Sequence, residues 1–268
     1  GKDNVAFHTV SFPATLIGSR EPWKTVDVLK AFNHLQWYGG QFSTSRRRGV
    51  FMDAALEILS PDCWRWHLTA NSPEHSDSSF TFEQLEAAVN RDLADVLGNF
   101  VNRILKFCDT RMGGTVPGGG EPGEGERRLA AEVGARVAEI AEQFEAIEVR
   151  KTAQALRGLW VLGNEYLQRA APWTAIKSEP ERAAAIVRTA INLAALIARV
   201  SAPVIPFACE TILAALGEPW PAAWPSADIA AELARIPPGR AIAVPPVLFR
   251  KIEEAEITAW KARFGAAD

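Results

Sequence analysis

The sequence predicts a mostly α protein, and three observations carry that reading. Apolar residues recur at steps of three and four from Phe82 to Phe107, and again from Leu129 to Ile147, which is the period of helices with one buried face. Two start signals of the capping-box type, Thr81-Phe82-Glu83-Gln84 and Ser178-Glu179-Pro180-Glu181, stand before such runs. The stretch from Pro180 to Val200 is apolar nearly all round, as expected of a helix at the centre of a bundle. Residues 80–268 therefore read as an all-α bundle of about five helices.

The elements follow in order. Ala6–Ser11 is open between strand and helix, because its apolar pattern fits neither period uniquely. A short helix is expected from Trp23 to Phe32. An exposed loop follows, Trp37-Tyr38-Gly39-Gly40-Gln41-Phe42-Ser43-Thr44-Ser45-Arg46-Arg47-Arg48-Gly49, rich in glycine, hydroxyls and arginine. Asp53–Leu59 reads as a short helix ending before Pro61. Phe80 and Leu85 flank the first capping box as a hydrophobic staple, and the long helix it opens ends near Gly113-Gly114. Residues 113–125 hold seven glycines and two prolines, which makes them a loop. The stripe from Leu129 to Ile147 is continued by Leu156, Leu159, Trp160, Gly163 and Leu167 after a break near residue 148. In the apolar helix the polar exceptions Arg188, Asn192 and Arg199 share one narrow face. A further helix is expected over Val204–Leu216, irregular chain over 219–246, and a last helix over Phe249–Phe264.

Composition excludes more than it assigns. The hydrophobic fraction of 48% and charged fraction of 23% are those of an ordinary globular chain. A net charge of −3 leaves any nucleic-acid contact to local patches. Cys63, Cys108 and Cys209 lie far apart without a CxxC pair, so neither a zinc knuckle nor a disulfide framework is expected. No apolar run of about 18 residues is free of charge, so no membrane span is expected. The start, GKDNVAFHTV, has neither an initiator Met nor the form of a signal peptide, which suggests a piece of something longer.

Four segments then carry a family resemblance. They are Gly1-Lys2-Asp3-Asn4-Val5-Ala6-Phe7-His8 with Phe12-Pro13-Ala14; the loop Gln41-Phe42-Ser43-Thr44-Ser45 with Gly49-Val50-Phe51; Asn90-Arg91-Asp92-Leu93-Ala94-Asp95 with Gly98-Asn99 and Asn102-Arg103; and Ala171-Pro172-Trp173. In this order they resemble the C-terminal half of methionyl-tRNA synthetases, across the whole chain. Asp77-Ser78-Ser79-Phe80 and Leu248-Phe249-Arg250-Lys251-Ile252-Glu253 add to the likeness. The resemblance implies a truncated C-terminal end of a Rossmann-type catalytic domain (1–34), a stem-contact region with the family's Lys-Met-Ser-Lys-Ser-type loop (35–76), and an all-α anticodon-binding helix bundle (77–268). The family's His-Ile-Gly-His element is absent, so the chain alone is expected to form no methionyl adenylate.

The resemblance also assigns residues. Ser43, Thr44, Ser45 and Arg46 would close over the triphosphate of ATP, bound with Mg as substrate in the intact enzyme, where cations and donors hold the redistributing charge. From composition alone the same loop is a solvated basic turn. It departs from the signature in having Gln41 and Thr44 where lysines stand, and any of Arg46, Arg47 or Arg48 is a candidate for the missing cation. Asp3 is implied to hold the adenosine ribose, and His8 and Phe12 to line the methionine pocket. Asp95, Asn99 and Arg103, spaced i, i+4, i+8, share one helix face; the family implies that Asn99 and Arg103 read the anticodon, while Asp95 replaces a common Asn, where an acid would either pair with Arg103 or repel phosphate. Trp173 is implied to stack on an unpaired base. Expected partners are tRNA with a methionine anticodon, ATP and methionine, in the cytoplasm, without DNA or membrane and with no tightly bound cofactor. Two alternatives are a stand-alone tRNA-binding paralogue with a decayed loop, and a helical interaction module that binds no tRNA.

Overall fold

The computed structural model describes residues 1–265. After a single 3-10 turn at Lys2–Asn4, a π turn at Phe7–Ser11 runs into helix α1, Phe12–Gly18. Strand β1 (Leu35–Trp37), helices α2 (Met52–Ile58) and α3 (Pro61–Ala70), and strand β2 (Ser78–Phe80) follow. The two strands pair in parallel, with Trp37 opposite Phe80. The bundle begins with a continuous rod: α4 (Phe82–Ala87), a π-helical segment (Ala88–Gly98) and α5 (Asn99–Met112). Then come α6 (Glu124–Glu145), α7 (Val149–Ala170), α8 (Pro172–Ser178), α9 (Pro180–Ser201), α10 (Pro206–Ala215), α11 (Ile229–Glu232) and α12 (Glu254–Phe264).

The apolar stripes bury as their spacing requires. Phe82, Leu85, Val89, Leu93, Phe100 and Ile104 of the rod are at most 1% exposed. Thr81 caps the rod by accepting the Gln84 N–H at 3.1 Å. α9 runs through the middle of the bundle. It has the length and apolarity of a membrane span, yet 89% of its most apolar window is buried against the other helices. Its narrow polar face holds chain segments in place. Arg188 donates to the carbonyls of Pro117, Gly119 and Gly120 and so fixes the glycine-rich loop. Asn192 exchanges hydrogen bonds with the backbone of Ile236, and Arg199 pairs with Glu232.

Ala6–Ser11, open between strand and helix by its pattern, is helical. Several expectations are corrected. Residues 23–32 form no helix. Backbone groups here and just beyond are satisfied at a distance, with Lys2 N–H on the Phe32 carbonyl and Asn33 N–H on that of Pro73, while the Lys30 ammonium reaches Glu74 and Glu148. Ser178 is no cap: it ends α8, a helix the sequence reading missed, and Glu179 starts α9 without a side-chain cap bond. The last helix starts at Glu254 rather than Phe249, with Glu253 and Glu256 forming its capping box. The stretch 219–246 is irregular except for the single turn α11.

Candidate nucleic-acid interface

The rod and α7 build the candidate RNA face. Gly163 of α7 lies where a Cβ would stand 2.9 Å from the Phe100 ring, so its missing side chain lets the two helices close. The next residue, Asn164, donates to the Val96 carbonyl at 2.9 Å. It also accepts from Asn99 Nδ2 at 3.3 Å, which leaves the exposed Asn99 with an amide oxygen that has no partner among the described residues. The π-helical segment of the rod ends at Gly98, directly before Asn99.

One turn further along the rod, the Arg103 guanidinium lies over the Trp173 ring, 4.8 Å from its centroid. Arg103 has no carboxylate partner among the described residues. Trp173 is set there by an abrupt turn. Ala171 ends α7 and starts α8 with φ +42°, a left-handed conformation that a non-glycine residue adopts at a cost of order 1 kcal/mol, and Pro172 fixes the first turn of α8. The sequence-predicted Asn99, Arg103 and Trp173 are thus brought onto one surface. Asp95 is on the same helix face, and the first of its two alternatives, pairing with Arg103, is not realised among the described residues. Its partner is Lys251, at 2.8 Å, and the pair flanks a groove of about 300 Å³ between the rod and the segment 245–251. Asn164 and Lys251 were not singled out from sequence. Their roles arise from contacts between distant segments, although Asn164, polar and one turn from Trp160, carried a partial signal.

The loop with the candidate catalytic residues rests on an aromatic base. Trp37 stacks on Phe80 at 5.2 Å and meets Phe82 edge-on. Tyr38 donates to Glu83 at 2.8 Å and accepts the Phe82 N–H. Burial, then Glu83, raises the Tyr38 hydroxyl above its usual pKa. Burial also pushes the Glu83 carboxyl upward, but Lys261 and Tyr38 outweigh it and hold the acid below its usual range.

Ser43 and Arg48 close the loop by exchanging backbone hydrogen bonds at 2.9 and 2.8 Å. Ser43 Oγ accepts the Arg46 N–H and lies 3.3 Å from Ser45 Oγ. Gly49, at φ +122°, has the Phe42 ring 2.4 Å from where a Cβ would be. Thr44, Ser45, Arg46 and Arg47 are exposed. Arg48 is not a candidate for the missing cation: it turns inward beneath Gly40 and donates to the Trp37 carbonyl at 3.1 Å.

The remaining predicted residues stand apart. Asp3 accepts from or shares a proton with His34 Nε2 at 2.8 Å. Beside it, the His34 N–H and Lys2 hold the Asp77 carboxyl below its usual range. Phe7 contacts His8 edge-on and stacks on Phe12, all three exposed. No hydrogen bond or ion pair among the described residues joins the Ser43–Arg48 loop to Asp3, His8 or Phe12. Among those same residues no three His, Cys, Asp or Glu side chains gather as metal ligands.

Known proteins match the chain over its whole length. Residues 1–105 match the family model described as tRNA synthetases class I (M), and residues 116–268 match the anticodon binding domain of methionyl tRNA ligase. The chain is 69% identical over 268 residues to the methionine–tRNA ligase of Caulobacter vibrioides, covering 100% of this chain and 47% of that protein. It is 56% identical over 265 residues to that of Cereibacter sphaeroides, covering 98% and 46%. The solved Mycobacterium tuberculosis methionyl-tRNA synthetase in complex with methionyl-adenylate superposes with a TM-score of 0.79 at 26% identity, over 93% of this chain and 48% of that one. The chain spans about half the length of the curated relatives it matches. On these grounds it belongs to the methionyl-tRNA synthetase family.

Proposed function

We propose that this chain is the anticodon-reading half of a methionine–tRNA ligase, which charges tRNA with methionine at the expense of ATP. The observation that carries this reading is the joint placement of Asn99, Arg103 and Trp173. An amide oxygen, a guanidinium with no carboxylate partner among the described residues and an aromatic face offer an acceptor, donors and a stacking platform. Those are the elements by which proteins read unpaired RNA bases. Asp95, held by Lys251, takes a lesser part at the edge of the same face. The test is binding of tRNA with a methionine anticodon, at stated salt, against the same tRNA with the triplet exchanged. Equal affinity for both would overturn the reading.

In the whole ligase Ser43 and the exposed Thr44, Ser45 and Arg46 contact the ATP phosphates, with Mg as the accompanying ion. Asp3 accepts from the ribose hydroxyls, and His8 and Phe12 line the methionine pocket. The division at residues 34 and 76 belongs to the same reading, as does a cytoplasmic setting. Arg46→Ala in the intact ligase is expected to lower the rate of ATP–pyrophosphate exchange roughly 100-fold, the scale of losing one charge-stabilising contact; an unchanged rate would remove Arg46 from the site. The 268 residues alone are expected to give no exchange.

A further inference from the structure

An amide side chain has a donor end and an acceptor end, and its partners decide which end points where. Asn164 of α7 faces two backbone carbonyls, that of Val96 on the rod at 2.9 Å and that of Trp160 in its own helix at 3.4 Å. A carbonyl only accepts, so the Asn164 NH2 points at this pair and its oxygen points away. That oxygen meets Asn99, 3.3 Å from Nδ2. Asn99 therefore turns its own NH2 inward, and Oδ1 is the end it leaves to the outside. The polarity of an exposed side chain is thus dictated by a partly buried one, which is itself oriented by the main chain.

This relay depends on the seam between α7 and the rod. Gly163 has no Cβ to meet the Phe100 ring, and the close approach lets the next residue, Asn164, reach across to Val96. Val96 and Asn99 belong to the same turn of the rod, so Asn164 grips both its backbone and its outward-facing amide. One turn beyond stands Arg103, whose guanidinium donates and cannot accept. The face therefore presents an ordered pair, an acceptor at Asn99 and donors at Arg103. If the Asn99 amide were free to turn over, both positions could donate and the order would be lost.

We propose that Asn164 is a positioning residue for base reading. It holds Asn99 with its oxygen outward, so that the face favours a base whose pairing edge turns its donor to Asn99 and its acceptor to Arg103. The inference rests on the anticodon reading and adds what sets the polarity of that contact. Asn164 touches no RNA in this scheme. Exchanging cytosine with uracil, or adenine with hypoxanthine, is the matching probe. Each exchange swaps an amino group for an oxo group and reverses donor and acceptor along the pairing edge, with little change of shape.

The experiment measures affinity for tRNA with a methionine anticodon, for the same tRNA with the whole triplet replaced, and for tRNAs in which one anticodon base at a time is exchanged for its amino or oxo counterpart. The chain is compared with Asn164→Ala, which frees Asn99, and with Asn164→Asp, which keeps an oxygen toward Asn99 but gives up the donors to Val96. Melting curves accompany each titration. In the unsubstituted chain the exchange at one position is expected to cost about tenfold in affinity. Asn164→Ala should shrink that penalty to within about threefold, while Asn164→Asp retains it even where its melting temperature falls. A penalty undiminished in Asn164→Ala would overturn the proposal. So would its loss in Asn164→Ala and Asn164→Asp alike, which marks a role in the fold only. If replacing the triplet matters but no single exchange does, the polarity argument fails and the anticodon reading stands. If replacing the triplet changes nothing, the anticodon reading fails and takes this inference with it.

Discussion

Arg103 and Trp173 come from different helices, and the guanidinium lies over the indole, 4.8 Å from the ring centroid. Such a contact fixes both groups before any ligand arrives, which reduces the ordering cost of binding.

Trp173→Ala is therefore expected to weaken binding of tRNA with a methionine anticodon by about 1–3 kcal/mol, the range for removing one base-stacking aromatic. Trp173→Phe should recover part of it, since a phenyl ring retains a stacking face. Trp173 also packs against the core, so a melting curve of each variant accompanies the titration. An alanine variant that keeps its fold and binds within twofold of the parent would show that the indole is no base platform.

Asp95→Asn tests the acid on the same face. Asp95 and Lys251 are both 54% exposed, and exposed pairs contribute about 0–1 kcal/mol, so stability should hardly change. Removing a negative charge beside Asn99 while releasing Lys251 should strengthen tRNA binding several-fold, most at low salt. A loss of affinity in the filter-binding or fluorescence titration would mean that the carboxylate itself contacts the RNA.

Gly163→Ala tests the helix seam. Alanine favours the helix by about 1 kcal/mol over glycine, but its methyl would stand 2.9 Å from the Phe100 ring. Overpacking of that kind costs about 1–3 kcal/mol, so a lower unfolding midpoint is expected, and Phe100→Leu in the same chain should restore part of it. If Gly163→Ala raises the midpoint, the close approach of α7 to the rod does not limit stability.

What was legible in the sequence followed from periodicity and local chemistry. The stripe from Leu129 to Ile147, the break near 148 and the buried α9 each reflect a burial pattern repeated over many residues, which single contacts cannot overturn. The spacing of Asp95, Asn99 and Arg103 was visible for the same reason. Local signals failed where distant groups decided the outcome. Ser178 looks like a cap, but Pro172 has already started a helix that ends on it. Residues 23–32 form no helix, and Lys30 and Asn33 in and beside them bind across to Glu74, Glu148 and Pro73. Lys251 reaches Asp95 from a segment expected to open the last helix, which in fact starts only at Glu254. The inward turn of Arg48 depends on the space that the missing side chain of Gly40 leaves, which no reading of three consecutive arginines reveals.

His67 gives the bundle's base a pH dependence. It sits in α3 at 1% exposure, with its ring edge-on to Phe80 at 5.1 Å. Burial, partly opposed by a backbone hydrogen bond at Gln84, lowers its pKa from 6.5 to about 4. The folded protein therefore keeps this imidazole neutral where the unfolded chain takes up a proton. Because the folded pKa lies below the unfolded one, the stability is fully present above about pH 6.5 and is lost as the pH falls toward about 4. Between pH 7.5 and 5 the loss should be about 2 kcal/mol for one proton. Asp62, whose carboxyl burial raises despite the N–H groups of Ala208 and Phe207, acts with the opposite sign at lower pH. The decisive quantity is thus the difference between parent and His67→Gln in urea unfolding at the two pH values. The parent should lose about 2 kcal/mol more than the variant, and equal losses would show that His67 is protonated in the folded state.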